Sequence, residues 1–392
     1  MKYKKMVNLI IFITIFFFLH YYFFNKVNIL SNIKFLLSYI ESQKEIKKNV
    51  KFLKFCNKNP KMIKKHRKIN NPKISIISPI YNRERYILRF LKCIQNQNFQ
   101  NFEIILIDDC SIDKSVKLIE EGKKNDKRIK LIKNIKNKGT FISRNIGALY
   151  SKGKYLIIPD PDDLISKNII NICYKIVESN NLEIIRFNMY NSKGTITLSK
   201  IVNKLNNFPK YQPEIPLYLF YGSDELDKID YHICNKFIKK EAYIRALNSI
   251  NAKYFRIYII YRDDSIINYL LYRTCKSYLF INKIGYYYTV NSLSVTNNLF
   301  SKSDLRIKFA FILLQIIFEY SKKTKYEKDT FNFLFTIFDK KFYLRQKISA
   351  FTHNSNFYYN IINIYLRSKF LTKENKKILE NYLKEIEKQY RK

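Results

Sequence analysis

The stretch YLIIPDPDD at residues 155–163 is an apolar run that ends abruptly in three carboxylates within four positions. The run has the length and composition of a buried strand. Carboxylates this close repel one another, so the arrangement is costly unless a cation or a cluster of hydrogen-bond donors offsets it. We therefore interpret Asp160, Asp162 and Asp163 as a metal site at a strand end. A polar turn is the alternative, because Asp and Pro are common in turns.

Two earlier apolar runs also stop at polar or turn-forming residues. KISIISPIYN, residues 73–82, is rich in β-branched residues and stops at Pro79. FEIILIDDCS, residues 102–111, stops at the acidic pair Asp108 and Asp109. Both runs are typical of fully buried parallel strands.

Helical patterns separate these predicted strands. The spacing of apolar residues predicts helices over residues 84–96, 114–123 and 141–150, with a strand over 129–132. The order β-α-β-α-β-α-β indicates an α/β fold, a right-handed, mostly parallel sheet flanked by helices. Ligands on such sheets lie beyond the carboxyl ends of the strands, so the three polar ends should converge on one site.

In order and spacing, these residues resemble the nucleotide-sugar-binding half of the family 2 glycosyltransferases, which have the GT-A fold. The resemblance covers residues 73–188 closely and continues more loosely to about residue 297. Each motif is weak alone, and four in the right order are specific. The motifs are ISIISPIYN at 74–82, DDCS at 108–111, NKG at 137–139 with Arg144 and Asn145, and DPDD at 160–163.

The resemblance implies a nucleoside-diphosphate sugar donor, with a UDP-sugar expected, and a divalent metal, Mn²⁺ or Mg²⁺, that bridges the diphosphate. Cys110 takes a place that is often Gly in the family, and we interpret it as a spectator in a tight loop rather than a site thiol. The implied donor-binding residues are Pro79, Tyr81, Asp108, Asp109, Arg144 and Asp160. The implied metal ligands are Asp160, Asp162 and Asp163.

Inverting sugar transfer needs a further carboxylate, which accepts the proton of the acceptor hydroxyl as that oxygen attacks the anomeric carbon. Asp263 and Asp264 begin a helical apolar pattern and resemble the family's acidic pair, whose second member is the base. Asp264 is therefore our candidate base, with Asp263 beside it. The alternative is that both residues only favour a helix N-terminus electrostatically. The stretch from Ile284 resembles the family's closing aromatic strand beside the site.

Other nucleotide-binding folds lack their signatures here. The sequence contains neither the G-x-G-x-x-G of dinucleotide-binding folds nor the G-x-x-x-x-G-K-[ST] of P-loop proteins. With only 7 glycines in the chain, few backbone amides are free to approach a phosphate closely. Phosphate charge should therefore be met by a metal and by side chains.

The N-terminus predicts a membrane anchor. Residues 6–24 carry no Lys, Arg, Asp or Glu and are long enough to span a hydrocarbon core of about 30 Å. They follow the basic tail 1–5, and aromatic residues 21–24 stand where a cleavage site would need small residues, so we predict an uncleaved signal anchor. The positive-inside rule favours a type II protein with its catalytic domain in the Golgi or ER lumen. Because no Asn-x-Ser/Thr sequon occurs, a cytosol-facing domain stays open.

The rest of the chain is divided by composition and by the resemblance. The predicted regions are a basic stem at 25–72, the nucleotide-sugar-binding half at 73–195, an acceptor and catalytic half at 196–300, and a helical extension at 301–392.

The formal net charge of +40 normally suggests a polyanionic partner. The basic residues are spread along the chain and no nucleic-acid-binding motif occurs, so no nucleic-acid partner is expected. Heavy use of Lys, Asn, Ile, Tyr and Phe instead fits a bias toward A and T in the codons. The 6 cysteines form no Cys-x-x-Cys, which argues against zinc and leaves open which of them pair.

The sequence thus predicts a membrane-anchored, metal-dependent, inverting glycosyltransferase that transfers a sugar to a hydroxyl of a glycan, lipid or protein. An inactive GT-A-like domain that serves as a membrane-tethered binding or scaffold protein is the main alternative. A basic binder of membranes or nucleic acid is a further alternative that rests on charge alone.

Overall fold

The computed structural model divides the chain into one unit at Met1–Lys51 and a second at Phe52–Lys392, and all the elements below belong to the second. The predicted anchor at 6–24, most of the stem and nearly all of the helical extension lie outside the described residues. The structure describes residues 65–191, 196–197, 209–211, 232–259 and 263–289, together with positions 44, 51, 52, 54–56, 316, 377, 380, 381 and 384.

Four parallel strands form the first half of the sheet. The strands are β1 (Ile74–Ile80), β2 (Phe102–Asp108), β3 (Ile129–Lys133) and β4 (Tyr155–Ile157), in the spatial order β3-β2-β1-β4. Every residue of β1, β2 and β4 is buried, as the continuous apolar runs predict. β4 ends at Ile157, whereas β1 continues through Pro79 to Ile80, one residue beyond the predicted stop.

Three helices connect these strands, close to the predicted ranges. They are α1 (Ile87–Gln95), α2 (Ser115–Asn125) and α3 (Thr140–Tyr150). In α1 the residues predicted to form the apolar face are at most 1% exposed, which confirms the helical period. These residues are Ile87, Phe90, Leu91 and Ile94.

The second half of the sheet is mixed, which differs from the prediction of a mostly parallel sheet. β9 (Lys236–Lys239) lies antiparallel between β4 and β6 (Ile184–Asn191), and β10 (Ser277–Tyr288) runs parallel to β6. The edge is β5 (Leu164–Ile165), antiparallel to β10. Short-range periodicity carries no information on the direction of strands that pair across long loops, so this part of the topology was not predictable from it.

The remaining described elements are four helices and two short strands. They are α4 (Ile169–Asn180), β7 (Ile196–Thr197), β8 (Lys210–Tyr211), α5 (Lys240–Asn248), a 3₁₀ helix (Ala252–Arg256) and α6 (Asp263–Thr274). Within the part of the chain that the structure describes, none of the helices is long and apolar enough to cross a membrane.

Candidate active site

The carboxyl ends of β1 and β2 lie side by side. Ile80 pairs with Asp108 in the parallel register, and the Asp109 N–H donates to the Ile80 carbonyl oxygen at 2.7 Å. Tyr81, the next residue after β1, is 43% exposed, whereas Pro79 is buried within the strand. An exposed aromatic ring is thus presented at the edge of the sheet where the acidic pair lies.

Asp109 organises the loop before α3. Its Oδ1 accepts hydrogen bonds from the Asn134 amide and the Lys138 N–H, and its Oδ2 accepts one from the Gly139 N–H, each at 2.8 Å. Gly139 has φ 86°, a backbone conformation that glycine adopts without strain. The NKG motif therefore places its amides on Asp109 and begins α3 beside the site.

Asp108 and Cys110 shape the turn after β2. The Asp108 carboxylate accepts the Ser111 N–H at 3.3 Å on each oxygen. Cys110 is exposed and has φ 68°, which explains why glycine suits this position in the family. These contacts fit the interpretation of Cys110 as a spectator in a tight loop, which stays a prediction.

Asp163 lies at the base of the acidic turn and is held by protein donors. Its Oδ2 accepts the Tyr286 hydroxyl at 2.6 Å, and its Oδ1 accepts the Thr289 N–H at 2.7 Å. Burial raises the pKa of Asp163 well above its usual value, and the charges of Asp162 and Asp160 add to this shift. Both oxygens accept hydrogen bonds that tie the acidic turn to the end of β10, and the metal-ligand role of Asp163 stays a prediction.

The carboxylates of Asp162 and Asp160 contact arginine side chains instead. Asp162 lies 3.8 Å from the Arg83 guanidinium, and its backbone carbonyl accepts a hydrogen bond from Arg89 of α1. The Tyr286 hydroxyl also accepts the Asp160 N–H at 3.2 Å. Tyr286 thus fixes both ends of the DPDD turn, a role that its place in an aromatic run did not reveal.

Arg144 joins the two halves of the site. Its Nη2 donates to Asp160 Oδ1 at 2.7 Å, and its Nη1 donates to both Asp263 Oδ2 and Asp264 Oδ1. Arg144 lies on α3, and the two aspartates begin α6. The structure therefore brings the acidic turn and the predicted catalytic pair onto one guanidinium.

The pKa shifts in this cluster reflect burial and crowding of negative charge. Burial lowers the pKa of Arg144, but Asp263, Asp264 and Asp160 outweigh it and raise that pKa well above its usual value. Burial raises the pKa of Asp160; Arg144 opposes this, and Asp264 and Asp162 add to it. Burial also raises the pKa of Asp263 to about 7, with Arg144 opposing and Asp264 and Asp160 adding.

The two members of the predicted catalytic pair differ in exposure. The Asp264 side chain is 22% exposed, and its Oδ2 accepts the Ile233 N–H at 3.3 Å. The Asp263 side chain is 10% exposed. Accessibility to an acceptor therefore favours Asp264, whereas a pKa near neutrality favours Asp263 as a proton acceptor.

Tyr258 is a candidate site residue that the sequence did not indicate. It is 47% exposed, and burial raises its pKa, with further contributions from Asp109 and Tyr81. Its segment is tied to the start of α3, because the Phe141 N–H donates to the Ile259 carbonyl at 3.3 Å. Two exposed tyrosines thus lie near Asp109, one from each half of the chain.

The negative charge of the cluster favours binding of a divalent cation. The protein side chains alone do not supply a complete set of ligands for it. Among the described residues, no group of three or more His, Cys, Asp or Glu side chains is placed to hold a metal ion. The Arg144 guanidinium faces Asp160, Asp263 and Asp264, and the Arg83 guanidinium faces Asp162, so four carboxylates are opposed by two guanidinium groups and negative charge is in excess. Asp160 and Asp162 offer the hard oxygen ligands that Mg²⁺ and Mn²⁺ prefer, and a bound diphosphate would have to complete the set.

The mixed sheet with its flanking helices is a GT-A-like fold. In comparison with solved structures, the chain is similar to S. aureus TarS 1–349 in complex with UDP-GlcNAc, with a TM-score of 0.59 and 16% identity. The match covers 81% of this chain and 91% of that one. A likeness at this identity concerns the fold alone.

The family follows from the sequence match. Residues 75–264 match Glycosyl transferase family 2, so the chain carries a family 2 glycosyltransferase domain. This match includes every predicted site residue, from Pro79 to Asp264. It confirms the predicted family at the level of this domain.

Curated relatives agree at the level of the domain. The chain is 33% identical over 118 residues to Glycosyltransferase GlyG of Streptococcus pneumoniae. The matched segment covers 30% of this chain and 39% of GlyG. The chain is 29% identical over 232 residues to the Minor teichoic acid biosynthesis protein GgaB of Bacillus subtilis, covering 57% of this chain and 24% of GgaB. The chain therefore spans about 40% or less of these relatives.

Proposed function

We propose that the protein transfers a sugar, with inversion, from a nucleoside-diphosphate sugar to an acceptor hydroxyl. The observation that carries the proposal is the Arg144 cluster, which holds Asp160 of the acidic turn beside Asp264 of the acidic pair. A donor-binding turn and an accessible carboxylate are thereby adjacent, as an inverting displacement requires. The TarS structure contains UDP-GlcNAc, which supports a UDP-sugar as the donor to test first.

The donor would enter along the carboxyl edge of the sheet. Tyr81 and Tyr258 supply aromatic surface for the base, and Asp109 and Asp108 hold the intervening turn. Asp160 and Asp162 would contact the ribose and the diphosphate. When bound, a divalent cation held by these two carboxylates would offset the charge of the departing diphosphate.

In this mechanism Asp264 acts as the general base. Its carboxylate accepts the proton of the acceptor hydroxyl while that oxygen bonds to the anomeric carbon and the bond to the diphosphate breaks. Arg144 and the Ile233 N–H fix the orientation of Asp264. Asp263 binds the same guanidinium from a more buried position, which assigns it to positioning.

Calorimetry of the full-length chain with UDP tests the donor and the metal together. We expect UDP to bind in Mn²⁺ and to lose most of its affinity in EDTA, because the carboxylates and the diphosphate repel one another without a cation. Asp162→Asn should weaken the Mn²⁺-dependent binding. Equal affinity in EDTA and Mn²⁺ would rule out the metal, and GDP binding more tightly than UDP would rule out a uridine donor.

A turnover assay separates the enzyme from the inactive alternative. With a UDP-sugar at a concentration that saturates UDP binding, release of UDP in the presence of a cell extract reports transfer. If UDP binds with the expected metal dependence but no UDP-sugar is turned over, a binding or scaffold role is favoured.

A further inference from the structure

A cavity of about 550 Å³, the amino-edge cavity, lies at the amino ends of β1, β2 and β3. Its walls are the segment before β1, the turn between α1 and β2, the residue before β3 and the turn after β5. The candidate active site lies at the carboxyl ends of the same strands, about 20 Å away, because β1 and β2 each extend over 7 residues. The cavity is therefore separate from that site.

Backbone hydrogen bonds hold the walls of the amino-edge cavity together. The His66 N–H donates to the Asn125 carbonyl oxygen, and the His66 carbonyl oxygen accepts the Lys127 N–H, both at 2.9 Å. Across the cavity, the Asn98 N–H donates to the Lys167 carbonyl oxygen at 3.0 Å. Each of the four walls is thus tied to a neighbouring wall, so the cavity is formed by the fold itself.

Two buried amides in the lining lack a hydrogen-bond donor. Gln95 donates from its amide nitrogen to Asp126 Oδ2 at 2.8 Å, and Gln97 donates to the Cys93 carbonyl oxygen at 3.3 Å. Among the described residues, the side-chain oxygens of Gln95 and Gln97 have no hydrogen-bond partner. Neither amide can turn over, because its oxygen would then face another acceptor. Buried polar atoms are normally paired, so this wall favours a ligand with hydroxyl donors.

The charge of the lining is positive. None of the described lining residues is Asp or Glu, whereas the lining includes Arg67, Arg128 and Lys167. The charge of Arg128 is offset by Asp126, which lies 2.8 Å from its guanidinium. Arg67 and Lys167 are exposed, and neither has an ion-pair partner among the described residues. Two cations are thus available to an anion, and a phosphate monoester carries a charge of about −1.5 to −2 at pH 7.

We propose that the amino-edge cavity binds a small phosphorylated polyol, of which a sugar phosphate is the type. Arg67 and Lys167 contact the phosphate, and the hydroxyl groups donate to the oxygens of Gln95 and Gln97. The cavity volume lies within the range of roughly 300–1,000 Å³ that small-molecule sites occupy. This inference does not rest on the proposed transfer reaction.

Calorimetry of the full-length chain in EDTA tests the ligand class. The probes are glucose 6-phosphate, glucose, inorganic phosphate and phenyl phosphate. We expect glucose 6-phosphate to bind about 10-fold or more tightly than each of the others, because glucose lacks the anion and the other two lack the sugar hydroxyls. Phenyl phosphate binding as tightly as glucose 6-phosphate would overturn the role of the buried amides. No binding of glucose 6-phosphate would overturn the site.

Paired variants locate the binding. The double variant Arg67→Gln, Lys167→Gln should weaken glucose 6-phosphate binding by on the order of 10-fold or more. Its control is the double variant Lys117→Gln, Lys152→Gln, which removes the same charge from exposed positions outside the lining and should bind normally. Equal losses in the two double variants would assign the binding to the net charge of the chain and overturn the proposal.

A competition experiment separates the amino-edge cavity from the donor site. Glucose 6-phosphate should bind with unchanged affinity to the chain in the presence of excess UDP and Mn²⁺. Displacement by UDP would place the sugar phosphate in the donor site and overturn the proposal. If the chain fails to bind UDP, the proposed transfer reaction is contradicted, whereas the titrations in EDTA still decide whether this cavity is a site.

Discussion

Arg144 decides how the acidic residues of this protein are arranged. Arg144 is 5% exposed, and its guanidinium contacts Asp160, Asp263 and Asp264. Removing one partner of a buried ion pair leaves the other charge uncompensated, which costs about 3–5 kcal/mol. Substitutions of Arg144 would therefore disturb both the proposed donor-binding residue and the proposed catalytic pair, whereas single carboxylate variants separate their roles.

The two catalytic candidates are distinguished by paired substitutions. Asp264→Asn keeps the side-chain shape but removes its ability to accept a proton, so transfer should fall about 10²–10⁴-fold with little change in UDP affinity. Asp263→Asn should lower transfer less, because Asp263 is assigned to positioning. The measurement is UDP-sugar turnover compared at matched UDP occupancy. Full turnover by Asp264→Asn together with loss in Asp263→Asn would assign the base to Asp263.

Tyr258 is predicted to stack on the base of the donor. Stacking of a base on an aromatic ring contributes about 1–3 kcal/mol, so Tyr258→Ala should weaken UDP binding roughly 5- to 150-fold. Tyr258→Phe should keep most of the affinity, because it keeps the ring. Tyr150→Ala is the control, since Tyr150 is 67% exposed on α3. The measurement is calorimetry with UDP and with UMP, and a similar loss of affinity for both would assign the effect to the uridine that they share. Unchanged UDP affinity in Tyr258→Ala would contradict the stacking role.

At the scale of elements, a buried hydrogen-bond network connects β1, β2 and the start of β4. The Ser75 hydroxyl donates to Glu103 Oε1 at 2.6 Å and accepts the Gly153 N–H at 2.9 Å. The Lys152 N–H donates to the same Glu103 oxygen at 2.5 Å. The network lies at the amino ends of the strands, away from the site. It favours one register of these strands, on which the pairing of Ile80 with Asp108 depends.

Gly153 is required for this close approach. A Cβ at Gly153 would lie 2.5 Å from both the Ile74 carbonyl carbon and the Ser75 nitrogen, which are backbone atoms that cannot rotate away. We expect Gly153→Ala to reduce the free energy of unfolding by about 1–3 kcal/mol. Lys152→Ala, at the exposed neighbouring position, should change it by at most about 0.5 kcal/mol. Urea unfolding of both variants checks this, and equal stability of the two would refute the packing argument.

At the scale of the whole domain, a buried ion pair connects α1 with the loop between α2 and β3. Asp126 accepts the Gln95 amide at 2.8 Å and the Arg128 guanidinium at 2.8 and 2.9 Å. Burial would raise the pKa of Asp126, but the hydrogen bond and charge of Arg128 outweigh it, with help from Gln95, and hold the pKa below its usual value.

This pair should make stability depend on pH at the acid end. A carboxylate whose pKa is lower in the folded state stabilises the fold above its unfolded pKa, about 3.9, and loses that contribution as pH falls through the folded pKa. Asp126→Asn should therefore cost about 3–5 kcal/mol at neutral pH and progressively less below about pH 4. Urea unfolding across pH measures the difference, with the exposed Glu121→Gln as control. A cost that is independent of pH would show that packing, not ionisation, is responsible.

The sequence by itself determined the first half of the fold. β1, β2 and β4 are continuous apolar runs, and α1 has its apolar residues at helical spacing, because local burial imposes a period on the residues. Polar residues that directly follow such strands must lie at one edge of a parallel sheet. The sequence alone therefore predicted that four such residues lie near one another: Tyr81, Asp108, Asp109 and Asp160.

Tertiary structure alone decided the second half of the sheet and the partners within the site. The antiparallel insertion of β9 and the roles of Arg144, Tyr258 and Tyr286 depend on contacts between residues far apart in the chain, which no local pattern encodes. The same holds for Asp163, whose sequence neighbourhood resembles that of a metal ligand but whose oxygens face Tyr286 and Thr289. The sequence determines which polar side chains are available. The packing of elements that are distant in the chain determines which of those side chains are already hydrogen-bonded.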